Sequence, residues 1–289
     1  MADGSAPPPD DLRDLCADLA AEHAALDAVV ADLVGAAWDT PTASPRWAVR
    51  DQIGHLAYFD EAATAAITDP ERFAADLAEA LGGDVTAFLE RTEVRGRTLP
   101  PADLLAWWRE QRAALLAAAA PLDPKARLPW YGPSMGARSF VTARLMETWA
   151  HGQDVVDALD AERPATDRLR HVADLGVRTR GFSYVVRGQE PPTGDVRVEL
   201  AAPSGTTWTW GDAGAADRVS GPAEDFCLVV TQRRHVADTE LVAEGALATG
   251  WLAIAQCFAG GPSVGPAPRS ERPAGPPRRR QKTQGVSDA

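Results

Sequence analysis

Asparagine is absent from this 289-residue chain, lysine occurs only as Lys125 and Lys282, and isoleucine occurs three times. The residues with A/T-rich codons are the missing ones, which points to a G/C-rich genome of the actinobacterial kind. Positive charge is also scarce. There are 29 Lys and Arg against 41 Asp and Glu, a net charge of −12, and a chain of that sign lacks the field that attracts nucleic acid. Six of the basic residues fall in 263–289 beside two acids, so the rest of the chain is more acidic than the total. Cysteine is limited to Cys16, Cys227 and Cys257, far apart and with no Cys-x-x-Cys. With no secretory leader, this usage predicts a reduced, cytoplasmic protein. Long apolar runs are missing too: segments such as "LLAAAAPL" fall far short of the roughly 20 residues that cross a bilayer, so no membrane span is expected.

Apolar residues make up 45% of the chain, enough for two cores at this length. After a Pro-rich start (1–9, predicted disordered), Leu12, Leu15, Leu19, Leu26, Val30 and Leu33 recur at helical spacing over 10–34. Val49, Ile53, Leu56, Ala63 and Ile67 do the same over 47–67, and shorter helical stretches follow at about 71–91. "PPADLLAWWREQRAALLAAAA" opens with prolines where missing N–H groups cost least and continues with strong helix formers. A proline- and glycine-rich loop leads to a helix over about 138–159, and another is predicted from Thr166 to Arg187 with Gly188 as its stop. The pattern then changes. "VRVELAAPSGTTWTWG" alternates around a Pro-Ser-Gly turn and predicts a hairpin, followed by helices in "GPAEDFCLVVTQRRH" and "ALATGWLAIAQCFAG". The reading is a helical domain at 10–188, a small α/β domain at 189–262, and a disordered Pro/Arg-rich tail at 263–289.

The helix over 138–159 carries Glu147, His151 and Asp154 at spacings of four and three, on one face and neighbouring turns. They lie opposite the apolar stripe of Val141, Leu145, Trp149, Val156 and Leu159. That arrangement fits a solvated face; it also fits a covered site, since Phe140, Ala143, Ala150 and Ala158 share the side and no lysine does. Among the other histidines, His235 reads as surface, His171 as part of a polar helical stretch and His23 as a core or capped residue. His55 stands beside the apolar stripe of its helix, with Asp51 one turn before it and Phe59 one turn after. An imidazole there and a Glu-x-x-x-His pair on another helix can form a three-ligand N/N/O site with positions left for water or substrate.

"PRWAVRDQIGHLAYFD" (45–60) and "ARLMETWAHGQDVVDAL" (143–159) resemble the two motifs of the mycothiol-dependent maleylpyruvate isomerase family, within the DinB-like superfamily. The resemblance covers about 10–262. It implies an α-helical DinB-like four-helix bundle followed by a small α/β, sterol-carrier-like domain. It also implies a divalent metal, most often zinc, held by His55, Glu147 and His151, with mycothiol as a small thiol cosubstrate for isomerisation or thiol transfer. Asp154 and Asp51 are candidate acceptors for the N–H groups of the ligand imidazoles. Arg144 is a candidate carboxylate clamp, as are Arg109 and Arg112, with Arg233 and Arg234 reaching in from the second domain. The Trp130–Tyr131 loop is a candidate pocket wall. The expected partners are a small-molecule substrate and a thiol, not nucleic acid or membrane, with the chain a monomer or homodimer. Two other readings stand beside this one: a thiol-independent metalloenzyme, tailoring or hydrolytic, and a non-catalytic protein that binds metal or an apolar ligand.

Overall fold

The computed structural model describes residues 12–82 and 85–272; the predicted disordered N-terminus and the tail beyond 272 lie outside them. Four long helices form a bundle: α1 (Leu12–Val30), α2 (Val49–Thr68), α5 (Pro101–Ala119) and α6 (Ala137–Leu159), with α1 on α6, α2 on both α5 and α6, and α1 on α5. Two shorter helices, α3 (Pro70–Gly82) and α4 (Val85–Thr98), flank α2.

The helices form where the periodicity predicts. Leu15, Leu19, Leu26 and Val30 of α1 and Val49, Ile53 and Leu56 of α2 are fully buried. Asp51 accepts a hydrogen bond from the Ala48 N–H at 2.8 Å, satisfying one of the donors that the first turn of α2 leaves free. Against α4, the approach is closest at two glycines: a Cβ on Gly54 would lie 3.0 Å from the Gly96 Cα. The expected loop before α6 contains a two-residue ladder, β1 (Arg127–Leu128) with β2 (Met135–Gly136), which projects the Trp130–Tyr131 segment between its arms.

α6 is buried on nearly all sides. Thr142, Arg144, Thr148, His151, Gln153 and Asp154 are buried together with Phe140, Val141, Leu145 and Trp149, so the polar face is a covered one. The helix ends at Asp160, which takes the left-handed conformation (φ 54°). The single helix predicted from Thr166 to Arg187 is two, α7 (Leu169–Arg178) and α8 (Arg180–Val185). Between them Thr179 Oγ1 bonds the Leu175 carbonyl at 2.8 Å, a back-bond that bends helices.

The second part is a four-stranded sheet in the order β4-β3-β5-β6. The predicted hairpin is β3 (Val196–Ala201) antiparallel to β4 (Thr207–Trp210), and β5 (Asp217–Pro222) runs parallel to β3 on its other side. α9 (Ala223–Val230) follows, β6 (Val242–Glu244) closes the sheet, and α10 (Ala246–Leu252) ends well before the helical stretch predicted for it. One apolar core joins the two parts: Leu15 and Leu19 of α1, Trp149 of α6, Leu169 and Val172 of α7, Phe226 of α9 and Val198 of β3 belong to the same cluster. Residues 263–272 pack back on this body, with Arg272 and the Arg269 N–H both on Asp238, so the segment expected to be disordered from 263 is placed as far as 272. Among the described residues, no helix is long and apolar enough to cross a membrane.

Candidate metal centre

α2 and α6 bring His55, Glu147 and His151 together, and one ligand atom from each lies within 4.8 Å of the others. Glu147 Oε2 is 3.0 Å from His151 Nε2 and 3.7 Å from His55 Nε2, and the two imidazoles are 4.3 Å apart between centroids. Burial pushes the His55 pKa down to about 4, helped by the neighbouring His151 and opposed by Glu147. Burial pushes the Glu147 carboxyl the other way, yet its bonds to His151 and His55 hold it well below the usual carboxylate range. A neutral imidazole beside an ionised carboxylate is the state that a divalent cation requires of its ligands.

Aromatic rings wall the cluster. Trp47 lies 5.1 Å from His55 and stacks on His151 at 5.8 Å, held by a bond from its Nε1 to Glu93 Oε1 at 3.1 Å. Phe59 is 4.6 Å from His55 on the other side. Tyr131 packs edge-on against Phe59 at 5.5 Å, and Trp130 stacks on Phe73 at 5.8 Å. The loop residues therefore stand one ring removed from the imidazoles.

The remaining site candidates are engaged elsewhere. Asp154 does not reach a ligand imidazole: its Oδ2 accepts from Ser44 Oγ and from Arg233 Nη2, because the second domain packs on that turn of α6. The partner of His151 Nδ1 is Gln52 Oε1, at 2.6 Å. Asp51 caps its own helix and pairs with Arg97 at 2.6 Å. Arg144 is 3% exposed and donates from Nε and Nη2 to Asp60 Oδ1, so it faces the bundle interior rather than a ligand. Arg109 and Arg112 both pair with Asp27. Arg233 and Arg234 do reach across from the second domain, to Asp154 and Asp157. His171 bonds Asp18 at 2.8 Å, and His23 is buried on α1 near Asp60. Gln52 and Trp47 are the contributors that spacing does not single out, although Gln52 stands three residues before His55, on the same face of α2.

An open cleft of about 1090 Å³ runs along the C-terminal half of α6, where the 43–45 loop meets the second domain; Asp154, Asp157, Arg233, Arg234 and Phe258 line it.

Residues 19–156 match the family described as mycothiol maleylpyruvate isomerase N-terminal domain, and residues 192–244 match the family described as wyosine base formation. Uncharacterized protein Rv0036c of Mycobacterium tuberculosis (strain ATCC 25618 / H37Rv) is 47% identical over 249 residues, covering 86% of this chain and 96% of that protein. Uncharacterized protein MT0041 of strain CDC 1551 / Oshkosh matches to the same extent. The crystal structure of the mycothiol-dependent maleylpyruvate isomerase superposes with a TM-score of 0.52 at 17% identity, covering 77% of this chain and 89% of that one. A histidine-to-alanine mutant of that isomerase gives the same score at 18% identity and the same coverage. With a DinB-like bundle, a small sheet-containing second part and two close relatives of nearly full length, the chain belongs to the family that carries the mycothiol maleylpyruvate isomerase N-terminal domain.

Proposed function

We propose that the chain is a divalent-metal-dependent enzyme of the maleylpyruvate isomerase type, with a small thiol, mycothiol, as cosubstrate for isomerisation or thiol transfer. The observation that carries this reading is the convergence of His55, Glu147 and His151 in a pocket walled by Trp47 and Phe59. The donor set suits zinc, and three protein ligands rather than four leave room for a reactant, as catalytic sites do. When bound, such an ion lowers the pKa of a thiol or polarises a carbonyl.

The chain's own groups support an external thiol. Burial, with Glu147 adding to it, pushes Cys257 up to about 12, and burial raises Cys227 well above its ordinary value. Both stay protonated at neutral pH, so neither supplies the thiolate nucleophile. Burial, with Tyr58 adding to it, also raises the Tyr131 pKa, so its hydroxyl stays protonated at neutral pH as well. Trp47 and Phe59 flank the imidazoles and restrict water.

The test is to incubate the zinc-loaded protein with mycothiol and maleylpyruvate, then with other activated alkenes, and follow loss of the cis isomer and of free thiol. Thiol-dependent conversion that disappears in His55→Ala supports the proposal. Conversion that proceeds equally without thiol would replace it with a thiol-independent metalloenzyme, and no conversion of any such alkene would remove it.

A further inference from the structure

His151 Nδ1 lies 2.6 Å from Gln52 Oε1, and Gln52 is fully buried. A side-chain amide can be turned end for end, and an imidazole can carry its proton on either nitrogen, so both orientations follow from the neighbours. Those neighbours are two hydroxyls. Thr42 Oγ1 is 3.0 Å from the Trp47 carbonyl oxygen, which only accepts, so the single Thr42 hydroxyl proton is committed there. Toward Gln52, at 2.9 Å, Thr42 is therefore an acceptor. Ser44 Oγ commits its proton in the same way to Asp154 Oδ2 at 3.3 Å. That carboxylate is held by Arg233 Nη2 at 3.0 Å, and Ser44 in turn accepts from Gln52 at 3.2 Å. Two acceptors on one side place the Gln52 NH₂ group there and leave its oxygen facing His151.

An acceptor at Nδ1 requires the proton on Nδ1. The nitrogen left for coordination is then Nε2, which faces Glu147 Oε2 at 3.0 Å and gives up any proton shared with that carboxylate when a cation binds. We propose that Gln52 is a positioning residue that fixes the His151 tautomer and so presents Nε2 to the metal. Its amide is set by the 42–47 loop and, through Asp154 and Arg233, by the second domain. The loop is shaped for this. Its Thr42 N–H and Thr42 hydroxyl both bond the Trp47 carbonyl, and Arg46 takes the left-handed conformation (φ 67°) between them. The consequence for metal affinity rests on the metal site proposed above; the tautomer itself rests only on the hydrogen bonds.

Two measurements separate the two. Long-range ¹H–¹⁵N spectra of the histidine rings, taken on the wild-type protein without metal and with zinc, are expected to show a protonated Nδ1 at His151 in both states. An unprotonated Nδ1 overturns the proposal whether or not zinc binds. Zinc affinity by competition with a chromophoric chelator, with the cobalt absorption spectrum as a second readout, is then compared in Gln52→Leu and Gln52→Glu. Loss of an outer hydrogen bond to a metal-binding His weakens metal affinity by about 10–100-fold. Gln52→Leu is expected to fall in that range with a changed cobalt spectrum. Gln52→Glu, which keeps the acceptor toward Nδ1 while the Thr42 and Ser44 hydroxyls turn to donate to its second oxygen, is expected to bind within a few-fold of wild type. Equal loss in both folded variants overturns the positioning role. If wild type takes up neither metal, the metal site itself fails, and the ring spectra still decide the tautomer; they do so too if Gln52→Leu does not fold.

Discussion

Arg144 stands one turn before Glu147 on α6, and it donates twice to a single oxygen, Asp60 Oδ1, at 2.8 and 3.1 Å inside the bundle. Asp60 is fully buried, and its other oxygen lies 3.7 Å from His23 Nε2. The pair joins α6 to α2 beneath the candidate metal centre. Removing one partner strands the other charge in a low-dielectric interior. Asp60→Ala is therefore expected to cost about 3–5 kcal/mol, and Arg144→Met a similar amount, in urea unfolding. An Arg144→Met protein of unchanged stability but weakened affinity for an anionic substrate would return Arg144 to the pocket.

His23 makes the stability of the bundle depend on pH. Burial, opposed by Asp60, brings its pKa down from 6.5 to about 4. Between those two values the unfolded chain binds more protons than the folded one. Stability is thus full above about pH 6.5 and is lost as the pH falls through about 4, by up to about 3 kcal/mol for this group. Urea midpoints for the metal-free protein at a series of pH values should fall over that window, and His23→Leu should flatten the slope. His55, depressed to the same value, leaves a residual slope in the variant. A slope unchanged by the substitution would mean that His23 is not the group responsible.

Metal content is the direct check on the ligand set. About one divalent ion per chain is expected by elemental mass spectrometry after loading and dialysis, with none above background in His55→Ala or His151→Ala. The pKa values of His55 and Glu147 keep both in coordinating form well below neutrality. Occupancy is therefore expected to be lost as the pH falls through about 4, where His55 protonates. A wild-type protein that keeps its ion well below pH 4 would contradict this ligand set.

Gly54 offers a test of helix packing next to His55. A methyl group there would meet the Gly96 backbone at 3.0 Å, and backbone cannot swing aside as a side-chain tip can. Gly54→Ala is expected to lower stability by about 1–3 kcal/mol, a penalty typical of overpacking, read from thermal or urea unfolding. Metal bound per folded chain should stay unchanged. Full stability in the variant would show that α2 and α4 can part at no cost.

Regular elements with a clear period were legible from sequence, and elements defined by their neighbours were not. The leucine spacing of α1 and the motif helices α2 and α6 follow from burial of one face. β5, with Asp217, Arg218, Gly221 and Pro222, carries no alternation, because it is held as an inner strand by the backbone register of β3 and β6. The convergence of His55, Glu147 and His151 was within reach of spacing and resemblance together. Gln52 was not, since an uncharged amide becomes significant only once a loop with a left-handed Arg46 sets two hydroxyls beside it. Asp154 looked like a partner of His151 for the converse reason: helical spacing is local, whereas the arginine that claims it arrives from 79 residues away.

The apolar core that runs from α1 through α6 and α7 to α9 and the strands ties the helical bundle to the sheet. A chain cut near residue 188 would bare Leu169 and Val172, which share a core with α9 and the strands, to water. Heating should melt both parts in one cooperative step.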